Sequence, residues 1–338
     1  MIRESIAKLV DGHALTHDEA HQTLREIMAG EATPAQIASF ITALRIRGET
    51  AEVIAGSARA MREKFTAVEA PSGTVVDTCG TGGDGLHTFN ISTAAAFVVA
   101  GAGVTVAKHG NRSVSSKCGS ADVLEALGVK ISVPAEVMVR CLRELGIAFL
   151  FAPSLHPAMK HAIGPRKEIG IRTIFNILGP LSNPAGARHG VIGVYASSLV
   201  PTMAHAAAAL GAQRLFVVHG HDGLDEITTT TSSTVAEVHG DSVKVYEVHP
   251  ADVGLPVAQP GDLAGGDALL NATLVRDVLQ GAAGPRRDIV LLNAAAAIVA
   301  GGKADSLKAG VAVAAQAIDS GAAAAKLESL VAATQTAG

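Results

Sequence analysis

Three stretches of this sequence gather residue types suited to binding a polyanion. The first runs Cys79-Gly-Thr-Gly-Gly-Asp-Gly85 and leads, past His87 and Thr88, into Asn90-Ile-Ser-Thr93. Glycines lack a Cβ, so their amides can close on an anion's oxygens. Small polar side chains at a helix start can bind those oxygens with help from the helix dipole, or merely cap the helix. Gly80, Gly82 and Gly85 match the GxGxxG spacing of a dinucleotide-binding loop. Such a loop also needs an acid about twenty residues on, past the second strand. Lys108-His109 stand there instead. A Walker A loop needs Lys and Ser/Thr after the last glycine, and Leu86-His87 follow here. An anion-binding loop and an ordinary capped turn both remain. The packing of Gly80, Gly82, Gly83 and Gly85 into one short run favours the anion.

The second stretch is Lys108-His-Gly-Asn-Arg-Ser-Val-Ser-Ser-Lys-Cys-Gly-Ser120, with cations at Lys108, Arg112 and Lys117 and no carboxylate. Such charges repel one another unless an anion is shared. A pyrophosphate-bearing substrate would resolve this, and a mobile basic loop is the plainer alternative. The third stretch is His219-Gly-His-Asp-Gly-Leu-Asp-Glu-Ile227. Neighbouring acids such as Asp225 and Glu226 are most often just solvated. Facing a phosphate site, their hard oxygens suit Mg²⁺ bound jointly by protein and pyrophosphate. Asp222 reads as a turn residue.

These stretches need a scaffold that brings them together. Residues 1–68 read as helices only. Ile2, Ile6, Leu9 and Val10 share a helical spacing, as do Leu24, Ile27 and Met28, and Ile37, Phe40, Ile41 and Leu44. Thr33-Pro34 and Thr50 are helix starts. Residues 69–73 read as a linker or hinge. From residue 74 short β-branched runs alternate with helices, as in an α/β fold with a mostly parallel central sheet. Strands are expected at 74–77, 104–107, 148–151, 191–195 and 215–219, with a hairpin of 235–237 and 243–248 around Gly240-Asp241. A helix is expected over 93–101. In such sheets ligands sit beyond the carboxyl ends of the strands, where all three stretches fall.

Composition narrows the function. The 338 residues include 48% hydrophobic and 17% charged residues, so the chain is globular and forms about two domains. A net charge of -4, two Tyr and no Trp argue against a nucleic-acid partner. The longest apolar run, 289–300, is too short to span a bilayer and is interrupted by Asn293, so it reads as a core helix. Three widely spaced cysteines and no leader-like start fit a reducing, cytoplasmic setting.

Taken together, the motifs carry a resemblance. Asp77-Thr-Cys-Gly-Thr-Gly-Gly-Asp84 resembles the opening signature of the anthranilate phosphoribosyltransferase family. Asn90-Ile-Ser-Thr93, Lys108-His-Gly-Asn-Arg112 and Asp222-Gly-Leu-Asp-Glu226 follow in that family's order. Gly164-Pro-Arg-Lys-Glu168 and Asn176-Ile-Leu-Gly-Pro-Leu-Ser-Asn-Pro184 match as well, so the resemblance covers essentially the whole chain. It implies a small helical domain of 1–68, with a returning segment near 155–182, hinged to an α/β domain of 73–154 and 183–338. It also implies a homodimer packed through the helical domains. Phosphoribosyl pyrophosphate (PRPP) would meet Gly80, Gly83, Asp84, Thr88, Asn90, Ile91, Ser92 and Thr93 on one side. On the other it would meet Lys108, His109, Gly110, Asn111, Arg112, Ser113, Val114, Ser115, Ser116 and Ser120. Mg²⁺ would fall to Ser92, Asp225 and Glu226, and anthranilate to Gly80, Asn111 and Arg166.

The implied reaction replaces pyrophosphate at ribose C1 with an aryl amine, in tryptophan biosynthesis. The amine is neutral at pH 7, so positioning and electrostatics outweigh base catalysis. Lys108 and Asn111 would supply them. Arg166 would clamp the carboxylate; a surface ion pair with Glu168 is its plainer reading. His109 could act as a base or pack beside the aromatic ring, and His87 and His156 could support the site or the fold. A pyrimidine nucleoside phosphorylase and a non-catalytic nucleic-acid-binding relative are the rival functions.

Overall fold

A computed structural model describes residues 1–113 and 117–336. Four helices open the chain: α1 (Ile2–Val10), α2 (His17–Ala29), α3 (Pro34–Arg47) and α4 (Ala51–Arg62). Thr16 and Thr33 close reciprocal caps with Glu19 and Gln36, and the Thr50 hydroxyl accepts from the Val53 N–H. The expected apolar faces are buried, with one correction: Val10 is 73% exposed. It falls at the last position of α1, where the helix has already turned from its neighbours.

Beyond residue 74 seven strands form one sheet, in the order β3-β2-β1-β4-β5-β6-β7. They are β1 (Val75–Gly80), β2 (Thr105–Gly110), β3 (Ile147–Phe151), β4 (His189–Gly193), β5 (Arg214–Gly220), β6 (Ser233–His239) and β7 (Ser242–Val248). β1 to β5 run parallel, while β6 and β7 are the antiparallel hairpin at the edge. Between β1 and β4 lie α5 (Ile91–Gly101), α6 (Ser120–Ala126), α7 (Ala135–Glu144), α8 (Ala152–Leu155), α9 (Lys160–Ile169) and α10 (Phe175–Leu178). After them come α11 (Leu199–Ala209), α12 (Ala268–Leu279), α13 (Pro285–Ala300), α14 (Leu307–Asp319) and α15 (Ala322–Gln335).

Alternation along the strands divides the interior in two. Val191, Phe216, Val218 and Val235 join one core with α5 and α13. Ile192, Leu215, Val217, Ala236 and Val238 join a second core with α11 and the N-terminal helices. That second core also takes Ala162, Ile174, Phe175, Ile177 and Leu178, and the segment after α8 packs with α2, α3 and α4.

Two expected boundaries shift in ways that matter for the site. Gly80 lies within β1, paired with Gly193 of β4. Lys108, His109 and Gly110 lie within β2, paired with Phe149, Leu150 and Phe151. These residues sit on the ends of rigid strands, not in loops, because both ladders continue past the apolar runs.

Candidate active site

The chain leaves β1 for β2 and β3 on one side and returns to β4 on the other. Such a switch in direction opens a crevice at the strands' carboxyl ends. Asp225, from the loop after β5, occupies it. A Cβ on Gly193 would stand 1.6 Å from the Asp225 carbonyl oxygen, and one on Gly80 would stand 2.4 Å from Asp225 Oδ2. That Oδ2 accepts from the Gly82 N–H at 2.7 Å. Glu226 Oε1 accepts from the Ser92 N–H in the first turn of α5 at 3.1 Å. Lys108 Nζ donates to Ser92 Oγ at 3.4 Å and to the Thr78 carbonyl. The glycine loop, the basic stretch and the acidic pair therefore meet at one place.

The electrostatics of that place are strained. Burial pulls Lys108 below its ordinary value, opposed chiefly by Asp77. Asp77 is buried with it and pushed up by burial, while Lys108 pulls it back. Its carboxylate is fixed by the His109 N–H at 3.0 Å and by Asn183 Nδ2 at 2.7 Å. Asp225 is pushed up by burial and then by Asp84. Glu226 is pushed up by burial and then by Asp225, against Lys108. Acids crowded this way lack positive charge, and a hard cation would relieve them. Among the described residues no three His, Cys, Asp or Glu side chains could hold a metal ion by themselves. A cation here needs further oxygens, from the Ser92 hydroxyl or from a bound polyphosphate.

Beside Lys108, His109 faces the segment after α10. Its Nδ1 lies 3.2 Å from the Gly179 carbonyl, which can only accept, so Nδ1 carries the proton. Its Nε2 lone pair then accepts from the Nε2–H of His156 at 3.2 Å. Burial, then His156, depresses His109 to about 3, and burial depresses His156 to about 4. Both rings are neutral at pH 7, and the lone pair a base would use is already engaged. His156 thus holds the His109 ring against the Gly179 carbonyl. His87 lies apart from this pair, exposed and at φ 53°. Arg166 stacks on Phe175, its guanidinium carbon 5.2 Å from the ring centre. Burial works against its charge, and among the described residues the alternative ion pair with the exposed Glu168 does not form.

The structure gives the other expected contact residues these partners. One cation of the second stretch, Arg112, does not depend on a shared anion. Arg112 pairs with Asp122 at 2.9 Å and Glu125 at 2.5 Å, acids just beyond that stretch. Ile91 offers a ligand nothing: its side chain is core and its N–H donates to the Phe89 carbonyl at 2.8 Å. Thr93 is likewise 1% exposed, with its hydroxyl buried and unpartnered. Asn90 holds the N-cap position of α5 without capping it. Its Oδ1 accepts from Asn271 Nδ2 at 2.9 Å and its Nδ2 donates to the Cys118 carbonyl. Thr88 bridges to Ala264. Asp122 closes the basic stretch by accepting from the N–H groups of Ser113 and Gly119. Asn111 is exposed at its rim, with its carbonyl accepting from Ser120 Oγ. Gly110 is packed so closely that a Cβ would stand 2.3 Å from Ser120 Oγ. Val114, Ser115 and Ser116 lie outside the described residues.

The a/b domain of a glycosyl transferase family matches residues 72–324, and that family's helical bundle domain matches residues 3–65. The anthranilate phosphoribosyltransferase of Moorella thermoacetica is 57% identical over 332 residues, covering 98% of both chains. The chain belongs to the anthranilate phosphoribosyltransferase family. The enzyme of Geobacter sulfurreducens is 56% identical, over 98% of this chain and 99% of its own. Among solved members of the family, the Thermus thermophilus enzyme superposes with a TM-score of 0.93 at 44% identity, covering 98% of this chain and 99% of its own. The Saccharomyces cerevisiae enzyme in complex with PRPP and Mg gives 0.90 at 30% identity, covering 99% and 98%.

Some residues of this family member's site escape a motif reading. Arg172 donates to the Gly83 carbonyl and lies over Tyr195, 4.4 Å from the ring centre. It thereby ties the glycine loop to the segment after α9. Asn183 bridges Asp77 and the Ala107 carbonyl, and Asn271 orients Asn90. Each is a polar residue paired across more than seventy positions of sequence, so no local pattern marks it. Asn183 alone had a cue, as part of the Asn176–Pro184 run.

Proposed function

We propose that this chain transfers the 5-phosphoribosyl group of PRPP to the amine of anthranilate, giving N-(5-phosphoribosyl)anthranilate and pyrophosphate in tryptophan biosynthesis. The carrying observation is the meeting of Gly82, Ser92, Lys108, Asp225 and Glu226 at the β1/β4 crevice. The diphosphate lies against the glycine loop from Gly80 to Asp84 and the first turn of α5, with Thr88, Asn90, Ser92 and Thr93 around it. The ribose side is enclosed by Lys108 to Ser113 and Ser120. Ser92, Asp225 and Glu226, together with the diphosphate, would hold Mg²⁺, whose charge would offset that of the leaving group. The crowded acids fit that cation.

Lys108 offsets charge on the departing pyrophosphate as the C1–O bond lengthens. Its burial makes that charge interaction stronger than in water. Asp77 favours the charged form of Lys108. Arg166 clamps the anthranilate carboxylate, Gly80 and Asn111 border the ring, and His109 packs beside it. The amine then meets C1 without a base. A residue pairing with no acid of its own is suited to an outside carboxylate, and this supports the role given to Arg166.

The division into a helical domain of 1–68 with 155–182 and an α/β domain of 73–154 with 183–338 belongs to the same proposal. So do closure of the two over the substrates, which keeps water from the ribosyl cation, a homodimer, and a cytoplasmic setting. The described residues contain no helix long and apolar enough to cross a membrane. The test is loss of anthranilate fluorescence with PRPP, with and without Mg²⁺. Turnover requiring both PRPP and Mg²⁺ is expected. Phosphorolysis of thymidine in place of that reaction would overturn the proposal.

A further inference from the structure

Helix α13 is buried on all sides from Ile289 to Ala300, and within that run Asn293 is 3% exposed. A buried amide destabilises a core unless its donors and acceptor are paired. All of those of Asn293 are. Its Oδ1 accepts from the Ile227 N–H at 2.9 Å, and its Nδ2 donates to the Ile227 carbonyl at 2.9 Å. The second N–H of the amide reaches the Ile289 carbonyl, one turn back in α13, at 2.9 Å. Asn293 therefore holds both backbone groups of one residue, as a neighbouring strand would.

Ile227 directly follows Glu226 and is fully buried. It lies between β5 and β6, where the backbone has left the sheet and has no ladder partner of its own. On the other side of the acids, Asp222 accepts from the hydroxyls of Thr228 at 2.6 Å and Thr230 at 2.5 Å. Those bonds fold the loop upon itself but do not tie it to anything else. The bonds from Asn293 tie it to a helix that packs beneath the sheet. Apolar replacement would leave a buried N–H and a buried C=O unpaired next to Glu226.

We propose that Asn293 is a positioning residue for the cation–diphosphate site, fixing the backbone on which Asp225 and Glu226 are carried. This rests on the reading of those two acids as magnesium ligands. The measurement is the half-saturating Mg²⁺ concentration of the intact enzyme at saturating PRPP, beside the KM for anthranilate. Asn293→Ala should raise the Mg²⁺ requirement by about tenfold or more while moving the anthranilate KM less than about twofold. Asn293→Ser serves in its place if the alanine variant does not fold. Asn293→Asp, whose protonated carboxyl still offers one donor and one acceptor, should fall nearer to the parent than Asn293→Ala. An unchanged Mg²⁺ requirement, an equal loss for metal and anthranilate, or an aspartate variant no better than alanine would each overturn the assignment. Glu226→Gln, run alongside, separates the two claims. If it too leaves the Mg²⁺ response intact, the metal assignment itself has failed. If it alone shifts the response, only the role of Asn293 has.

Discussion

The backbone carbonyl of Asp225 rests where a side chain on Gly193 would be, 1.6 Å from the position of its Cβ. Gly193 pairs with Gly80 across β1 and β4, so the two glycines form a seat for the acid exactly where the sheet changes direction. Alanine at Gly193 must push Asp225 outward. Overpacking of this kind destabilises by about 1–3 kcal/mol, and Gly193→Ala should also lower kcat more than its stability loss explains. Gly261→Ala is the control, since nothing lies within 4 Å of its Cβ position. Thermal melts and initial rates on both variants check this; a fully active Gly193→Ala would show that the seat does not matter.

Arg166 stacks on Phe175 and forms no ion pair with an acid among the described residues, which suits its charge to a substrate carboxylate. Arg166→Ala should raise the KM for anthranilate by roughly tenfold or more, the worth of a charged hydrogen bond. The KM for PRPP should change little. Equal effects on both substrates in steady-state kinetics would show that the clamp is misassigned.

The neutral histidine pair makes a prediction about acid. Burial holds His156 at about 4 and His109 at about 3, against an ordinary value of 6.5. Between those limits the unfolded chain binds more protons than the folded one, so stability falls as pH falls. The pair's contribution is complete above 6.5 and is lost as acid approaches the folded values. At pH 5 each ring accounts for about 2 kcal/mol of that loss. Urea unfolding at pH 7 and pH 5 should therefore show a smaller pH difference in His156→Gln than in the parent. An identical difference would mean that His156 is not neutral in the fold.

Much of this site could be read without coordinates because strand ends and glycine loops leave local marks. The β-branched runs located five parallel strands and the hairpin, and the unusual loops after β1, β2 and β5 pointed to one crevice. What could not be read was pairing at a distance. Asp122 and Glu125 lie just past the basic stretch and neutralise Arg112, so a window ending at Ser120 mistook its charge for an excess. Ladder pairing carried β1 and β2 through Gly80 and Gly110, past the residues whose types signal a strand. Arg172 and Asn271 act through partners on other elements, and only packing brings these together.

The central claim is that glycine amides, Lys108 and the Asp225–Glu226 pair grip one magnesium-bound diphosphate. Calorimetric titration of PRPP into the enzyme, with and without Mg²⁺, tests it most directly. The parent should bind PRPP far more tightly with Mg²⁺. The folded Asp225→Asn, Glu226→Gln double variant should bind weakly and lose that dependence. Equal affinity and an equal Mg²⁺ response in parent and variant would contradict the account.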